Sequence, residues 1–364
     1  MMSFGLERLP RGRTRRAVKR ILIFIICLLF LVEIGVALFL IHKNSTNQSQ
    51  FSDLETVRIE SQQIPLSAGA FKENGIIKPT TDSIVTDKDI SLDLSNLDRG
   101  YILIRYDGPR SQLVLDVTSI DHNGNVHNNN MNSKEPLHPY YVYPVGTGWQ
   151  GYALPYGSGT YRIKCLPYEK ENLKSLKTET PGFEFVANFD EVSPYRYSNV
   201  YSSYDKNSTA VSVGRYLISQ EEKAQGCLLT DKKKTELISG YIRRNIREDA
   251  ELLKQSSVGK DSSSTYRFPD IEAAMNTGIG NCNERSAITA IILKSQNIPV
   301  QIVHGYILRN EGVWKEPLKI YHAWLNVYIE GRWAMYDPTF SDTEITDPVK
   351  NGDCEYLLDT ALIR

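Results

Sequence analysis

The run GIGNCNERSAITAIILKSQNIPV, from Gly278 to Val300, constrains this chain more than any other stretch. A glycine-rich turn leads into Ala287, Ile288, Ala290, Ile291, Ile292 and Leu293, which are apolar on more than one side of a helix. Such a helix has to be covered all round, so the run predicts a helix at the centre of a domain. Asn297 and Pro299 end it, because the first accepts a left-handed cap and the second cannot continue a helix. Cys282 falls at its start. There the unpaired N–H groups and the helix dipole favour thiolate over thiol, the form that acts as a nucleophile. A single cysteine in this place also reads as one more small buried residue. The rest of the chain decides between the two.

The chain has 364 residues, enough for two domains with their own cores besides any tails. Its net charge of -1 conceals an asymmetry. Residues 1 to 20 carry seven Arg or Lys and one Glu, a net of +6, which leaves 35 basic against 42 acidic residues in the remainder, a net of -7. No basic face is left over for nucleic acid, and that class is excluded. The five cysteines, Cys27, Cys165, Cys227, Cys282 and Cys354, include no CxxC pair. Neither a zinc site nor a disulfide framework is signalled. Cys227 and Cys354 are either a pair within one domain or two reduced, buried thiols.

Arg8, Arg11, Arg13, Arg15, Arg16, Lys19 and Arg20 precede the apolar run Ile21 to Ile41, ILIFIICLLFLVEIGVALFLI. Its 21 residues are enough to cross the hydrocarbon core as a helix. The charge before it, against His42 and Lys43 after it, predicts a cytoplasmic N-terminus. Glu33, costly in lipid, would be protonated or face a partner helix. The run is longer than a signal-peptide core and no small-x-small cleavage site follows it. The expectation is an uncleaved single-pass anchor, a basic tail at 1–20, a polar stalk at 42–56, and everything after it outside the cytoplasm. Asn44, Asn47 and Asn207 are glycosylation sequons that matter only in a host that uses them.

Between 57 and 189 the signals are β. YILIRY (Tyr101 to Tyr106) and LVLDVTSI (Leu113 to Ile120) flank an Asp107-Gly108-Pro109 turn, and YYVYPV, GYALPY and TYRIKCL follow with glycine turns between them. Short strands at this spacing predict a β-sandwich domain. His122, His127 and His138 lie near Asn-rich loops, where solvated histidines are the common case, so no metal or cofactor site is read there. From 190 to 364 a helical pattern takes over. Helices are predicted from near Ser208 and from Thr230, where Leu237, Ile238, Tyr241, Ile242 and Ile246 fall at helical spacing. A loop at Gly259 to Asp270 then leads into the Cys282 helix. From Ser341, with Asp342, Asp347 and Asp353, the chain reads as a short acidic closing segment without calcium-loop spacing.

Three strand-like runs follow Pro299: Val300 to Leu308, Ile320 to Ile329 and Arg332 to Pro338. Glu330-Gly331 reads as a two-residue hairpin turn. Ile329 then pairs with Arg332, and continued registration sets Trp324 opposite Asp337 and His322 opposite Thr339. His322 and Asp337 therefore share a face one diagonal step apart, about 7–8 Å between backbones, which an imidazole and a carboxylate can bridge. A bulge at Gly331 would reverse this parity. Cys282, His322 and Asp337 thus form a candidate nucleophile, base and orienter. The backbone N–H of Cys282 is a candidate oxyanion donor, with Tyr266 as a candidate second. His304 alternates away from these partners and reads as a packed strand residue. Trp324 and Trp333 read as core or pocket walls, and Glu284 and Arg285 as supports of the first helical turn.

GIGNCNERSA, then NIPVQIVHGYI, then YHAWLNVYIEGRWAMYDPTF resembles the transglutaminase-like superfamily over roughly Thr230 to Phe340. Each motif alone is weak; the three in this order and spacing are specific. Asn283-Glu284-Arg285-Ser286 departs from the aromatic-containing segment common after the cysteine, and Leu325-Asn326 stands where Asn-Glu is frequent. The resemblance implies a papain-like α+β catalytic fold with Cys282, His322 and Asp337 as the triad. It also implies acyl transfer through a thioester, to water or to an amine. With the anchor, the expectation is a bacterial cell-envelope enzyme acting on amide bonds of a protein or a cell-wall peptide. The rival expectations are a cell-surface adhesion protein that binds through the β-sandwich and keeps the second domain as a degenerate scaffold, and a peptidoglycan-assembly partner.

Overall fold

The structure, a computed structural model, describes residues 57–58, 83–108, 112–128, 141–144, 148–167, 182–205, 207–248, 268–309, 318–348 and 354–363. The span predicted at 21–41, the stalk at 42–56, and Cys27, Asn44, Asn47, His138 and Tyr266 lie outside the described residues. Among the described residues no helix is long and apolar enough to cross a membrane.

Strands dominate the first part: β1 (Val57–Arg58), β2 (Ile84–Asp87), β3 (Ile90–Asp93), β4 (Tyr101–Tyr106), β5 (Gln112–Ile120), β6 (Val126–Asn128), β7 (Tyr141–Pro144), β8 (Gln150–Ala153), β9 (Gly159–Pro167) and β10 (Gly182–Ala187). They form one sheet in the order β1-β10-β9-β5-β6, with β7 also on β5, and a second in the order β2-β3-β4-β8. Leu92 and Ile104 of the second sheet, and Val117, Ile163 and Phe183 of the first, are buried in one hydrophobic cluster. That cluster does not close at residue 189. Tyr201 and Tyr204 carry it into Ala210 and Val211 of the next helix and onward. Aromatic side chains from the connecting segment fill the seam, so the strands and the helices share a core where the sequence predicts two.

The helical part begins with α1 (Thr209–Gln225) and α2 (Asp231–Asn245). Thr230 caps α2 by accepting the Lys233 N–H at 3.3 Å. Then come β11 (Arg247–Glu248), α3 (Ile271–Thr277), β12 (Ile279–Gly280) and α4 (Cys282–Ser295). The short α3 stands between the predicted loop, which ends at Asp270, and the cysteine helix, where the sequence predicts no separate element. Asp270 accepts the Ala273 N–H at 3.1 Å to start it, and Gly278, at φ 66°, stops it in the left-handed region. Pairing of β11 with β12 then holds the approach to Cys282.

The predicted central helix is α4. Ile288, Ala290, Ile291, Ile292 and Leu293 are all fully buried, and α4 touches α1, α2, α3, β13 (Val300–Arg309) and β14 (Leu318–Ile329). At Gly214 of α1 an added Cβ would run into Ile292, so the two helices approach at a point where only glycine fits. Asn297, at φ 64°, supplies the left-handed end. The sheet under α4 has the order β15-β14-β13-β16, with β15 (Arg332–Tyr336) and β16 (Cys354–Ile363) at its edges. Glu330 and Gly331 take φ of 53° and 78°, as a two-residue hairpin of this hand requires. β16 corrects the reading of the chain end as a closing acidic segment. It pairs antiparallel with β13, and the acidic residues belong to the connection before it.

Candidate active site

Asn281 caps α4 with a β-region backbone, and its side chain accepts the Asn283 N–H at 2.9 Å. Glu284 reaches back to the Asn281 N–H at 3.0 Å, closing a capping box, and takes the Asp270 N–H at 3.3 Å with its other oxygen. The end of the turn is tied in as well, since the Arg285 N–H donates to the Asn281 carbonyl at 3.0 Å. The Cys282 N–H is the donor of this first turn that the cap does not use. The half-buried Cys282 side chain thus stands at a braced helix start with its own N–H available.

The register places the base and its orienter. Ile329 pairs with Arg332 and Leu325 with Tyr336, the pairing predicted from the turn, with no bulge at Gly331. The ladder stops at Tyr336, one residue short of Asp337. Thr339 therefore has no strand position opposite His322, and the chain turns instead: the Phe340 and Ser341 N–H groups donate to the Asp337 carbonyl at 3.1 and 2.8 Å. The turn leaves Asp337 aimed at His322. His322 Nε2 donates to Asp337 Oδ2 at 2.7 Å, with the imidazole nearly and the carboxylate fully buried. Cys282 also interacts electrostatically with His322. With Nε2 given to Asp337, Nδ1 is the ring nitrogen left for the thiol. The structure brings the three residues together.

The electrostatics follow from that contact. Burial works against a charged imidazole, but the Asp337 carboxylate with its hydrogen bond, and the Cys282 sulfur, outweigh it and raise His322 from 6.5 to about 10. For Asp337, burial works against the charge. His322 and the hydrogen bonds from His322, Tyr356 and the Thr339 N–H more than offset it and hold the carboxyl below its ordinary value. At neutral pH the site holds an imidazolium against a carboxylate.

Arg285 donates from Nε and Nη2 to the Ile246 carbonyl at 2.9 and 2.7 Å, which clamps the β11 approach to α4. It supports the first turn, as predicted, and its guanidinium also interacts electrostatically with Cys282 and Asp337. His304 lies on the opposite face of β13 from the side that meets His322. It pairs with Ala323 and contacts Asn283 Oδ1 through Nε2 at 3.1 Å. Trp324 is buried, 6.3 Å from the His322 ring centre, and Trp333 packs edge-on to Tyr195 and Tyr328, so both are walls. His127, on β6, contacts Asp121 of the preceding turn at 3.3 Å, and among the described residues no group of three or more His, Cys, Asp or Glu is placed to hold a metal. Cys227 is exposed, Cys354 is buried, and both are free thiols.

Two residues at the site carry no sequence signal. Phe340 stacks on His322 with ring centres 5.0 Å apart, and Tyr356 of β16 donates its hydroxyl to Asp337 Oδ2 at 2.6 Å. Phe340 lies close to the DPT motif in sequence. Tyr356 reaches the site only because β16 pairs with β13, which no local pattern announces.

Residues 221–338 match the model of the transglutaminase-like superfamily, so the chain carries a transglutaminase-like domain. A search of curated proteins finds no match. Solved structures similar to the chain include a TGase at 20% identity and TM-score 0.27, aligned over 37% of this chain and 34% of its own. Another is a candidate cysteine protease from Cytophaga hutchinsonii, at 13% identity and TM-score 0.29, over 71% of this chain and 76% of its own. A third is the red sea bream transglutaminase, at 12% identity and TM-score 0.28, over 66% and 48%. The chain thus spans about a third of the first structure's length and under half of the sea bream enzyme's. At these scores the functional reading rests on the site itself.

Proposed function

We propose that the transglutaminase-like domain is a cysteine enzyme that breaks an amide bond through a thioester, with Cys282 as nucleophile, His322 as acid and base, and Asp337 as orienter. The Cys282 sulfur attacks the amide carbonyl and forms a C–S bond. The developing oxyanion meets the Cys282 N–H left out of the capping box. His322 then gives its Nδ1 proton to the leaving amine as the C–N bond breaks. In the second half, water or an amine attacks the thioester, His322 takes the proton released, and the sulfur leaves as thiolate. With water the outcome is hydrolysis; with an amine it is transamidation. Throughout, Asp337 holds Nε2–H and so directs Nδ1 at the sulfur.

The observation that carries this reading is the 2.7 Å contact of His322 Nε2 with the buried Asp337, together with the electrostatic interaction of the same ring with the helix-start cysteine. A buried pair of this kind at a cysteine is hard to explain as scaffold alone, because it costs desolvation that an apolar trio would not. The placement follows from the sequence: residues 21–41 anchor the chain in a membrane, the N-terminus is cytoplasmic, and the enzyme acts outside on protein or cell-wall peptide amides.

The test is thiol chemistry. Iodoacetamide labelling of Cys282 is followed against pH in the wild-type chain and in His322→Ala. The reading expects fast labelling at neutral pH that drops by roughly tenfold or more in the variant. An ordinary thiol profile in both proteins sinks it. Peptide amides offered with a primary amine in ¹⁸O water, read by mass spectrometry, separate hydrolysis from transamidation.

A further inference from the structure

The Asp337 carboxylate is shared. Oδ2 accepts His322 Nε2–H at 2.7 Å and the Tyr356 hydroxyl at 2.6 Å, and Oδ1 accepts the Thr339 N–H at 2.8 Å. Two short, charge-assisted bonds therefore converge on one oxygen. Tyr356 is buried against Trp324, with ring centres 5.3 Å apart, and stands 6.3 Å from the His322 ring, so its hydroxyl is held in place by packing. It comes from β16, which lies beyond the 221–338 stretch that matches the superfamily. The triad's carboxylate is thus bonded from a strand outside the matched region.

We propose that Tyr356 is a positioning residue of the active site, whose hydroxyl fixes the Asp337 carboxylate against His322 and takes up part of its charge. This rests on the cysteine-enzyme reading above and adds to it a fourth member. An acid that must give its proton to a leaving amine works best when its affinity for that proton is moderate. An unshared buried carboxylate makes the imidazolium hold on too well. The phenol draws on the same oxygen and relieves this. Among the described residues, the other charged or titratable groups that act near His322 include Cys282, which interacts with the ring, Arg285, which acts on Cys282 and Asp337, and Arg309, whose guanidinium lies 5.6 Å from the Phe340 ring that covers the imidazole. None of them bonds Asp337 Oδ2.

The experiment is Tyr356→Phe in the full chain, with His322 followed by NMR across pH. Tyr336→Phe serves as a matched loss of a buried phenol hydroxyl from the same sheet. The expected result is a rise of the His322 midpoint by about half a pH unit or more in Tyr356→Phe and no change in Tyr336→Phe. An unchanged or lowered midpoint, or an equal rise in the control, overturns the proposal. In the wild-type protein the Tyr356 hydroxyl proton should exchange slowly and show a cross-peak to the His322 ring; its absence overturns the proposal even where the variant fails to fold. Cys282 alkylation, measured on the same samples, keeps the two readings apart. An unreactive wild-type thiol defeats the enzyme reading and leaves the His322 result to be judged alone.

Discussion

The Ser286 hydroxyl donates to the Ala323 carbonyl at 3.0 Å, and this buried bond ties the helix of the nucleophile to the strand of the base. Ser286 lies one turn beyond Cys282, and Ala323 is next to His322. β15 stops opposite Leu325, so this stretch of β14 has no β15 partner, and the side of α4 lies against it. The contact sets how far the thiol stands from the imidazole.

Ser286→Ala is therefore expected to do two things. It leaves a buried carbonyl without this donor, which costs about 1–3 kcal/mol in urea unfolding. It also slackens the Cys282–His322 spacing, so neutral-pH alkylation of Cys282 slows several-fold by a rough estimate. A variant as stable and as reactive as wild type would show the bond to be incidental.

Asp337→Asn removes the charge that outweighs burial at His322. The imidazolium midpoint should fall well below about 10, because burial then meets only the pull of Cys282. Histidine-selective NMR reads it directly. The sign carries over to stability. The folded midpoint lies above the unfolded one, so the contribution of His322 is complete below about pH 6.5 and is lost as pH rises toward 10. Asp337→Asn should flatten that alkaline decline; a decline equal to wild type would place its origin elsewhere.

Lys294 gives the opposite slope. Its ammonium is fully buried near the end of α4, Nζ donates to the Ser202 hydroxyl at 2.8 Å, and burial lowers its midpoint from 10.5 to about 7. The folded chain thus binds fewer protons than the unfolded chain between those values, and stability rises with pH across them by up to ~1.4 kcal/mol per unit. Lys294→Met should remove this slope and stabilise the protein more at pH 7 than at pH 10. Unfolding curves at the two values check it. A larger gain at pH 10 contradicts the assignment.

Local rules reached far at some places and stopped short at others. The hairpin at Glu330-Gly331 was legible because a two-residue turn leaves one register, and that register predicts which strand residues share a face. α4 was legible because an all-round apolar surface has one destination. The strands β2 and β3, IVTD and ISLD, were not, since half their residues are polar and only pairing makes them strands. Nor was α3, seven residues whose capping by Asp270 needs no apolar stripe.

The sequence by itself determined the identity and order of the three residues that the structure brings together. A cysteine at a capped helix start, a histidine on a strand and an aspartate just past the end of the next strand follow from turn chemistry, periodicity and register, all of which act over a few residues. Only the tertiary structure decided what surrounds them. The end of β15 before Asp337, the bond from Ser286 to Ala323 and the arrival of Tyr356 on β16 depend on contacts between residues far apart in the chain. Such contacts are selected by burial and hydrogen-bond satisfaction across the whole core, which short-range patterns do not encode.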